Sequence, residues 1–247
     1  MERDDRASVS TFFADAGFAV NATTTLGEHV AHHARVKRLV VGDLVRLTNG
    51  AGSLALGSIG AIKKNAVDVT IESIRDVAAP PAIHLRAPIA DRDRMLMLAE
   101  KATELGITSW QSVRFKRSLS VSPRGEGPGF DGKIRARMIA ALEQSGGAWL
   151  PRILDETTIG SAEFSNEELP IVLDAGGGSL ASIRLGSTGR APVVLVGPEG
   201  GIEPEEMSRL IDRGWKRARL ASNTLRFETA GIAAIAAIRS TQIDEEK

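Results

Sequence analysis

Two segments in the C-terminal half of the chain hold the residues best suited to chemistry, and each follows an apolar run. Residues 197–201 read Gly-Pro-Glu-Gly-Gly and end the β-prone run 193–196, whereas residues 220–230 contain Arg226 and Glu228. In α/β proteins, a buried strand that runs into a tight loop marks the sheet edge where ligands bind, and glycines let a ligand approach the main chain. The spacing of residues 197–201 matches neither the dinucleotide fingerprint nor the phosphate P-loop, so we do not expect a pyrophosphate as the ligand.

Two earlier segments also place polar residues at the end of an apolar element. Residues 101–107 read Lys-Ala-Thr-Glu-Leu-Gly-Ile and lead into a basic cluster, and residues 141–146 read Ala-Leu-Glu-Gln-Ser-Gly. A parallel sheet presents its ligand site at such element ends. The candidate residues in and after these segments are Arg114, Lys116, Arg117, Glu143 and Gln144.

The composition excludes several kinds of chemistry. The 247 residues include no cysteine, which rules out disulfides, thiolate metal ligands and cysteine nucleophiles. The four histidines lack metal-type spacing, and we therefore predict no metal site. No apolar run approaches the roughly 18 residues of a transmembrane helix, and the charged N-terminus precedes no signal-peptide core. We therefore expect a cytoplasmic protein that does not enter a membrane.

The formal net charge is zero, but the charge is unevenly distributed. Residues 80–150 contain 11 Lys/Arg and 7 Asp/Glu, whereas residues 151–247 contain 11 and 15. Phosphate binding requires a basic face rather than a basic total, and the densest basic stretch runs from Arg114 to Arg124 without an acid. This stretch indicates either an RNA-binding face or an ordinary solvated surface.

The order of strand and helix patterns divides the chain. Residues 1–78 contain short strand patterns with close turns such as Asn49-Gly50, which predict a small β-barrel. Pro80-Pro81 predicts a boundary, and the alternating strand and helix patterns beyond it predict a parallel sheet covered by helices. The predicted elements there are a strand at 83–89, a helix from Asp91 to Gly106, a loop at 122–132, a helix at 133–145, strands at 170–174, 193–196 and 217–220, a flexible joint at 176–178, a helix from Glu203, and a final helix at 228–239 that is buried on most sides.

The four segments, in this order and spacing, resemble the RsmE family of SPOUT-superfamily methyltransferases. The family pattern reads approximately K-A-x-E-L-G, E-Q-S-G-R, G-P-E-G-G and L-G-x-x-I-L-R-x-E-T-A, and residues 32–43 resemble its H-x-x-x-V-L-R-x-x-x-G-D. Family members methylate N3 of a uridine in 16S ribosomal RNA of the small subunit and use S-adenosylmethionine. The resemblance covers most of the chain and implies the same reaction here.

The resemblance also implies the architecture. We expect an α/β fold in residues 79–247, with a SPOUT-type parallel sheet and a C-terminal trefoil knot that holds the cofactor in a bent shape. We expect a small PUA-like, RNA-binding β-barrel in residues 1–78. Pattern reading alone does not suggest a knot, because true knots are rare. Most SPOUT proteins are homodimers, so we expect a homodimer that acts on 16S ribosomal RNA or on the small ribosomal subunit.

The match assigns functions to particular residues. Arg226 is the candidate for neutralising negative charge on the uracil, and Glu199 and Glu228 are candidate bases or positioning groups. The alternatives are an ion pair for Arg226 and a helix-dipole contact for Glu228. The predicted cofactor-binding residues are Leu173, Gly197, Pro198, Glu199, Gly200, Gly201, Leu220, Ala221, Thr224, Leu225 and Arg226. The predicted RNA-binding residues are Arg38, Arg114, Lys116, Arg117, Glu143 and Gln144.

Four positions depart from the family pattern. Ala221 stands where glycine is common, and alanine costs about 1 kcal/mol there if its φ is positive. Gly147 replaces an arginine, Phe227 replaces a smaller residue, and Lys37 replaces a leucine in a position that we expect to be exposed. None of these changes removes a charged residue that methyl transfer requires.

Two other functions stay open at this stage. One is a SPOUT methyltransferase with another RNA target, such as the ribose 2′-hydroxyl of transfer RNA. The other is an inactive RNA-binding assembly factor that keeps the fold. The match at residues 143–146 favours the uridine-N3 family, and the intact loop at 197–201 argues against an inactive protein.

Overall fold

The computed structural model describes residues 9–120, 123–183 and 189–242. The chain divides into two units: unit 1 comprises Met1–Ala79 and Leu142–Leu150, and unit 2 comprises Pro80–Ala141 and Pro151–Lys247. The return of Leu142–Leu150 to unit 1 was not expected from the order of the elements. The functional domain limits, 1–78 and 79–247, stay a prediction.

In residues 9–79 of unit 1, the structure shows five strands and one helix. The strands form one sheet in which β1 and β3 are parallel and the other neighbours are antiparallel, in the order β1-β3-β4-β5-β2. Alternate strand residues such as Val45, Leu47 and Val69 are buried with Ala31 of the helix, so one face of the sheet forms the core. The bounds are β1 (Ser10–Phe13), β2 (Thr23–Leu26), α1 (Glu28–Val36), β3 (Leu44–Thr48), β4 (Ser53–Ile62) and β5 (Val67–Asp76).

The described residues from 80 onwards form six parallel strands and four helices, one of which ends in unit 1, and this arrangement confirms the prediction from the alternating patterns. The strands are β6 (His84–Pro88), β7 (Ser109–Arg114), β8 (Arg152–Thr158), β9 (Glu168–Ser179), β10 (Ala191–Val196) and β11 (Lys216–Arg219). They lie in the order β11-β9-β10-β6-β7-β8. The helices are α2 (Arg92–Glu104), α3 (Pro128–Ser145), α4 (Pro204–Asp212) and α5 (Phe227–Ser240), and single 3-10 turns lie at Lys116–Ser120, Ile159–Ser161 and Leu180–Ser182.

The helix ends follow the signals in the sequence. Asp91 Oδ1 accepts the N–H of Arg94 at 3.0 Å and caps α2, whose C-terminus is followed by Gly106 with φ +71°. Helix α4 begins after Glu203, whose N–H donates to Glu206 Oε2 at 3.2 Å in a capping box. Both predicted helix starts are therefore confirmed.

Helix α1 is followed by Arg38 at a position where glycine is favoured. Arg38 has φ +56°, and its N–H donates to Arg35 O at 3.0 Å while Leu39 N–H donates to Ala34 O at 2.9 Å. These two bonds define a Schellman motif, in which glycine is favoured because a side chain is strained at positive φ. Helix α4 ends in the same motif with Gly214 at φ +93°.

Helix α3 starts earlier than predicted. It begins at Pro128 rather than at residue 133, so the prediction of a loop over residues 122–132 is wrong in its second half. Proline is favoured in the first helical turn, where its missing N–H has no intrahelical partner. Phe130 is 6% exposed and packs on Gly125 and Met95, and this burial offsets the low helix propensity of the nearby glycines. Residues 121 and 122 lie outside the described residues.

The three glycines at 176–178 belong to β9, so the prediction of a flexible joint is wrong. Arg217 of β11 pairs with Val172, but the next residue, Ala218, pairs with Gly178. Residues 173–177 therefore bulge out of the ladder, and we call them the β9 bulge. A Cβ at Gly177 would lie 2.7 Å from the main-chain N of Ala218, so the return to the ladder requires glycine. The trefoil knot stays a prediction.

The final helix is buried or half-buried at eleven of its fourteen residues, which agrees with the prediction that it is buried on most sides. Gly231, Ala234 and Ile238 are buried, whereas Thr229 and Ala237 are exposed. The helix packs against α2 and β10. Within the described ranges, no helix is long and apolar enough to cross a membrane.

Candidate active site

A cavity of ≈ 490 Å³ lies where β10 and β11 end and where β9 bulges. This edge of a parallel sheet is the usual position of a ligand site, and the volume suits a small-molecule cofactor. Ten of the eleven residues predicted to bind the cofactor line the cavity, and Gly200 is the exception. The ten are Leu173, Gly197, Pro198, Glu199, Gly201, Leu220, Ala221, Thr224, Leu225 and Arg226.

The loop at residues 197–201 is a tight turn whose glycines have different structural reasons. Gly201 has φ +76°, and its N–H donates to Pro198 O at 2.8 Å. A Cβ at Gly197 would lie 2.7 Å from Ile202 Cγ1, so a side chain there would push Ile202 out of place. The two glycines contribute main chain to this wall of the cavity, beside Pro198 and Glu199.

The Arg117 side chain binds this loop and packs against it. Its Nη1 donates to Gly200 O at 2.5 Å, and its Nε donates to Glu203 Oε1 at 2.8 Å. The position of a Cβ on Gly200 lies 3.2 Å from Arg117 Cβ, so the arginine stem packs directly on the loop. Gly200 thus faces Arg117 instead of the cavity, which explains its absence from the lining.

The β9 bulge supplies another part of the cavity wall. Leu173, Asp174 and Ala175 line the cavity because these residues leave the ladder with β11. Asp174 accepts from the Arg217 guanidinium, and its Oδ2 accepts the N–H of Gly176 at 2.8 Å. These bonds tie the bulge to β11 and keep its shape.

Two departures from the family pattern, Ala221 and Phe227, follow β11, and the structure accommodates both. Among the described non-glycine residues, positive φ occurs only at Asn21 and Arg38, so Ala221 carries no such strain. Phe227 is buried, lines the cavity and begins α5. Both substitutions are therefore compatible with the cavity.

Five charged residues line the cavity, and besides Asp174 and Arg219 they are Arg94, Glu199 and Arg226. Arg226 is exposed, precedes α5, and has no ion pair within the part of the chain that the structure describes. Glu199 is also exposed, and its Oε1 lies 3.8 Å from Nη1 of Arg94. The sequence analysis did not single out Arg94. This residue lies in the first turn of α2, which follows β6, and is therefore at the same sheet edge as the other loops.

Glu228 lies in a different environment from the other two candidate catalytic residues. It is 7% exposed, it does not line the cavity, and its Oε2 has no hydrogen-bond partner in the described structure. Its place in the first turn of α5 agrees with a helix-dipole contact. Its catalytic function stays a prediction.

The basic cluster after β7 is largely compensated by acids. Arg114 contacts Glu126 at 2.9 Å and Glu156 at 2.6 Å, and Glu156 foremost, then Glu126, raises the pKa of this guanidinium. Arg117 is occupied by the loop contacts described above. Lys116 is exposed, and no acid in the described ranges pairs with its ammonium group. Of the three predicted RNA contacts here, only Lys116 presents an uncompensated charge.

The remaining predicted RNA-binding residues lie in unit 1. Glu143 is half-buried and accepts the N–H of Phe13 at 2.8 Å, whereas Gln144 is exposed. Arg38 is exposed, and so is Lys37, as its replacement of a leucine predicts. Glu143 is therefore engaged within unit 1, and its contact with a base stays a prediction.

Known protein families match both parts of the chain. Residues 78–239 match the model of an RNA methyltransferase domain, and residues 26–72 match that of an RNA methyltransferase PUA domain. Ribosomal RNA small subunit methyltransferase E of Rickettsia conorii is 29% identical over 222 residues, which cover 86% of this chain and 87% of the relative. The protein of the same name from Mycobacterium bovis is 26% identical over 236 residues, with coverage of 86% and 84%.

A solved structure agrees over nearly the whole chain. Ribosomal RNA small subunit methyltransferase E from Neisseria gonorrhoeae, bound to S-adenosyl methionine, has a TM-score of 0.86 and 26% identity. The match covers 94% of this chain and 98% of that one. The fold, the cavity and the family models define an S-adenosylmethionine-dependent RNA methyltransferase whose first part resembles a PUA domain. The chain belongs to the RsmE family of these enzymes, which confirms the resemblance seen in its motifs.

The cavity residues fit this cofactor. Gly197 and Gly201 both line the cavity, and the φ of +76° at Gly201 favours glycine, so main-chain groups are available on this wall. Leu173 and Leu225 add apolar surface beside polar main-chain groups. An adenosine joined to a short aliphatic chain requires this mixture of apolar contact and directed hydrogen bonds.

Proposed function

We propose that this chain methylates N3 of a uridine in 16S ribosomal RNA of the small subunit. The observation that carries the proposal is one cavity in which both family loops meet, with Arg226 and Glu199 on its wall. The names of the relatives support small-subunit ribosomal RNA as the substrate. The motif at residues 143–146 supports the uridine-N3 chemistry of the family.

The chain's own residues must position the base and manage one proton. S-adenosylmethionine, held by the loop at 197–201 and by residues 220–226, would supply an electrophilic methyl group to uracil N3. Uracil N3 is weakly nucleophilic until it loses its proton, so a base and a cation both lower the barrier. Arg226 neutralises the charge that develops on the uracil, and it is available for this contact because no acid among the described residues pairs with it. Glu199 is the first candidate for the base because it faces the cavity, and the buried Glu228 is the second.

The RNA contacts complete the proposal. Lys116 contacts phosphates through its exposed ammonium, and Arg114 and Arg117 contribute only where phosphates displace their acidic partners. Arg38, Glu143 and Gln144 extend the RNA-binding surface within unit 1. The domain of residues 1–78 binds RNA, the domain of residues 79–247 carries catalysis, and the enzyme acts as a homodimer in the cytoplasm.

Mass spectrometry of 16S ribosomal RNA from a deletion strain tests the proposal. The deletion should remove one N3-methyluridine, and the wild-type gene should restore it. Complementation with Arg226→Ala should fail, whereas the matched control Arg213→Ala, an exposed arginine outside the cavity, should succeed. Retention of N3-methyluridine in the deletion strain would refute the proposal, and loss of a transfer-RNA ribose methyl group would support a different SPOUT target. Failure of the purified chain to bind S-adenosylmethionine in calorimetry would favour an inactive assembly factor.

A further inference from the structure

A second cluster of side chains, in unit 1, has the composition of a metal site. His29 and His33 are four residues apart on α1 and share one face, with ring centroids 4.3 Å apart. Glu143 brings a carboxylate to the same place, and one ligand atom from each of the three residues lies within 4.8 Å of the others. In the described parts of the chain, no other group of three or more His, Cys, Asp or Glu side chains comes this close.

We propose that His29, His33 and Glu143 bind a divalent transition metal, with Zn²⁺ as the best candidate. Two imidazoles and one carboxylate are an established ligand set for zinc, with a water molecule at the fourth position. Two histidines at i and i+4 on a helix are also the spacing by which known zinc enzymes present a pair of imidazoles. The proposal replaces the sequence prediction of no metal site, which overlooked this spacing.

The distances require a modest rearrangement. Zinc ligands lie about 2.1 Å from the metal, so neighbouring ligand atoms in a tetrahedral site are about 3.4 Å apart. The ligand atoms of His29, His33 and Glu143, which lie up to 4.8 Å apart, must therefore approach one another by up to about 1.4 Å. Rotation of the exposed His29 ring provides such a movement without a change in the main chain.

The surroundings of Glu143 orient its carboxylate. Its Oε1 accepts the N–H of Phe13 at 2.8 Å, at the end of β1. A carboxylate has about four acceptor positions, so this bond leaves capacity for a metal. Hydrogen bonds of this kind fix ligand orientation in known metal sites. A bound ion would join α1 to residues 142–150 within unit 1.

The pKa of one of the two imidazoles also bears on metal binding. Burial foremost, and then the neighbouring His29, lowers the pKa of His33, although Glu143 opposes the shift. Metal ions bind the neutral imidazole, and a lowered pKa reduces the competition from protons.

Calorimetric titration of the untagged, chelator-treated full chain with ZnCl₂ tests the proposal. We expect one Zn²⁺ per chain and a loss of affinity of at least about tenfold in His33→Ala and in Glu143→Gln. His32→Ala is the matched control, because His32 is exposed on the same helix and lies outside the cluster. Titration with Co²⁺ gives a second readout, since visible absorption bands of a tetrahedral site should appear in the wild type and His32→Ala only.

Two results would overturn the proposal. One is the absence of stoichiometric Zn²⁺ binding to the wild-type chain at 100-fold excess metal. The other is an equal loss of affinity in His32→Ala, which would indicate general binding by surface histidines. His29→Gln keeps the test decisive if His33→Ala does not fold, because His29 is exposed and its replacement leaves the core intact. Equal urea midpoints of metal-free wild type and variant would show that the fold is retained.

Discussion

Replacing Arg117 by alanine should weaken the binding of S-adenosylmethionine even when no RNA is present. Arg117 bonds to Gly200 O and to Glu203 Oε1, so it ties the loop at 197–201 to the start of α4. The variant removes both bonds and the packing of the arginine stem on Gly200. The loop must then be ordered by the cofactor, and this cost is subtracted from the binding free energy.

The size of the effect follows from the exposure of the two contacts. Arg117 and Glu203 side chains are 42% and 26% exposed, so solvent screening limits their ion pair to about 0.2–1 kcal/mol. The charged hydrogen bond to Gly200 O contributes about 1 kcal/mol, which is below the value for a buried bond. The total of about 1–2 kcal/mol corresponds to a 5- to 30-fold loss of affinity, if all of it serves to order the loop.

Calorimetry without RNA separates this mechanism from an RNA contact. Lys116→Ala is the matched control, because the Lys116 side chain is exposed and only its main-chain N–H bonds to Glu206 Oε1, at 2.9 Å. Lys116→Ala should leave cofactor affinity unchanged but reduce RNA affinity and the salt dependence of RNA binding. If Arg117→Ala binds the cofactor within twofold of wild type and loses RNA affinity as Lys116→Ala does, Arg117 is an RNA contact and the loop argument is wrong.

Three other substitutions test separate parts of the structure. Arg226→Ala should lower the single-turnover rate of methyl transfer by roughly 100-fold with little change in cofactor affinity, and a normal rate would exclude Arg226 from the mechanism. Arg38→Gly should raise the free energy of unfolding by up to about 1 kcal/mol, because glycine adopts positive φ without strain. The same variant should weaken RNA binding, and a lower stability in urea would contradict the strain argument. His84→Gln should make stability less sensitive to acid. Burial lowers the pKa of His84 below 6.5, although Glu168 opposes the shift. As pH drops below about 6.5, the unfolded chain therefore binds a proton at this residue more readily than the folded chain does, and the free energy of unfolding falls. Equal changes in urea midpoint between pH 7.5 and 5.5 for wild type and variant would refute this assignment.

Local signals were sufficient for the parallel sheet and for much of the cavity. Asp91 and Gly106 marked both ends of α2, because capping and positive φ depend on neighbouring residues only. The loop at 197–201 was recognisable because a strand pattern ends there in glycines. In a parallel sheet, the carboxyl ends of strands meet at one edge, so the two family loops were expected to lie together.

Non-local contacts decided the features that could not be predicted. The glycines at 176–178 are typical of a flexible joint, but they continue β9 because β11 approaches Gly177 too closely for a side chain. Helix α3 begins at Pro128 because Phe130 finds a buried contact with Gly125 from outside the helix. The spacing of His29 and His33 was visible in the sequence, but the approach of Glu143, more than 100 residues later, was not.

Charge pairing separates the arginines and lysines that build the site from those that can meet the substrate. Arg114 and Arg117 were grouped with Lys116 as RNA contacts because the three are close in sequence. The structure pairs Arg114 with two glutamates and Arg117 with Glu203, and an RNA phosphate would have to displace those acids. Such an exchange gains little, because a surface ion pair and a surface phosphate contact have similar free energies. Lys116 and Arg226 have no acidic partner among the described residues, so a phosphate or a uracil anion at either gains its full electrostatic free energy. We therefore expect these two cations to dominate RNA affinity and methyl-transfer rate, respectively, and the paired arginines to act mainly through the shape of the site.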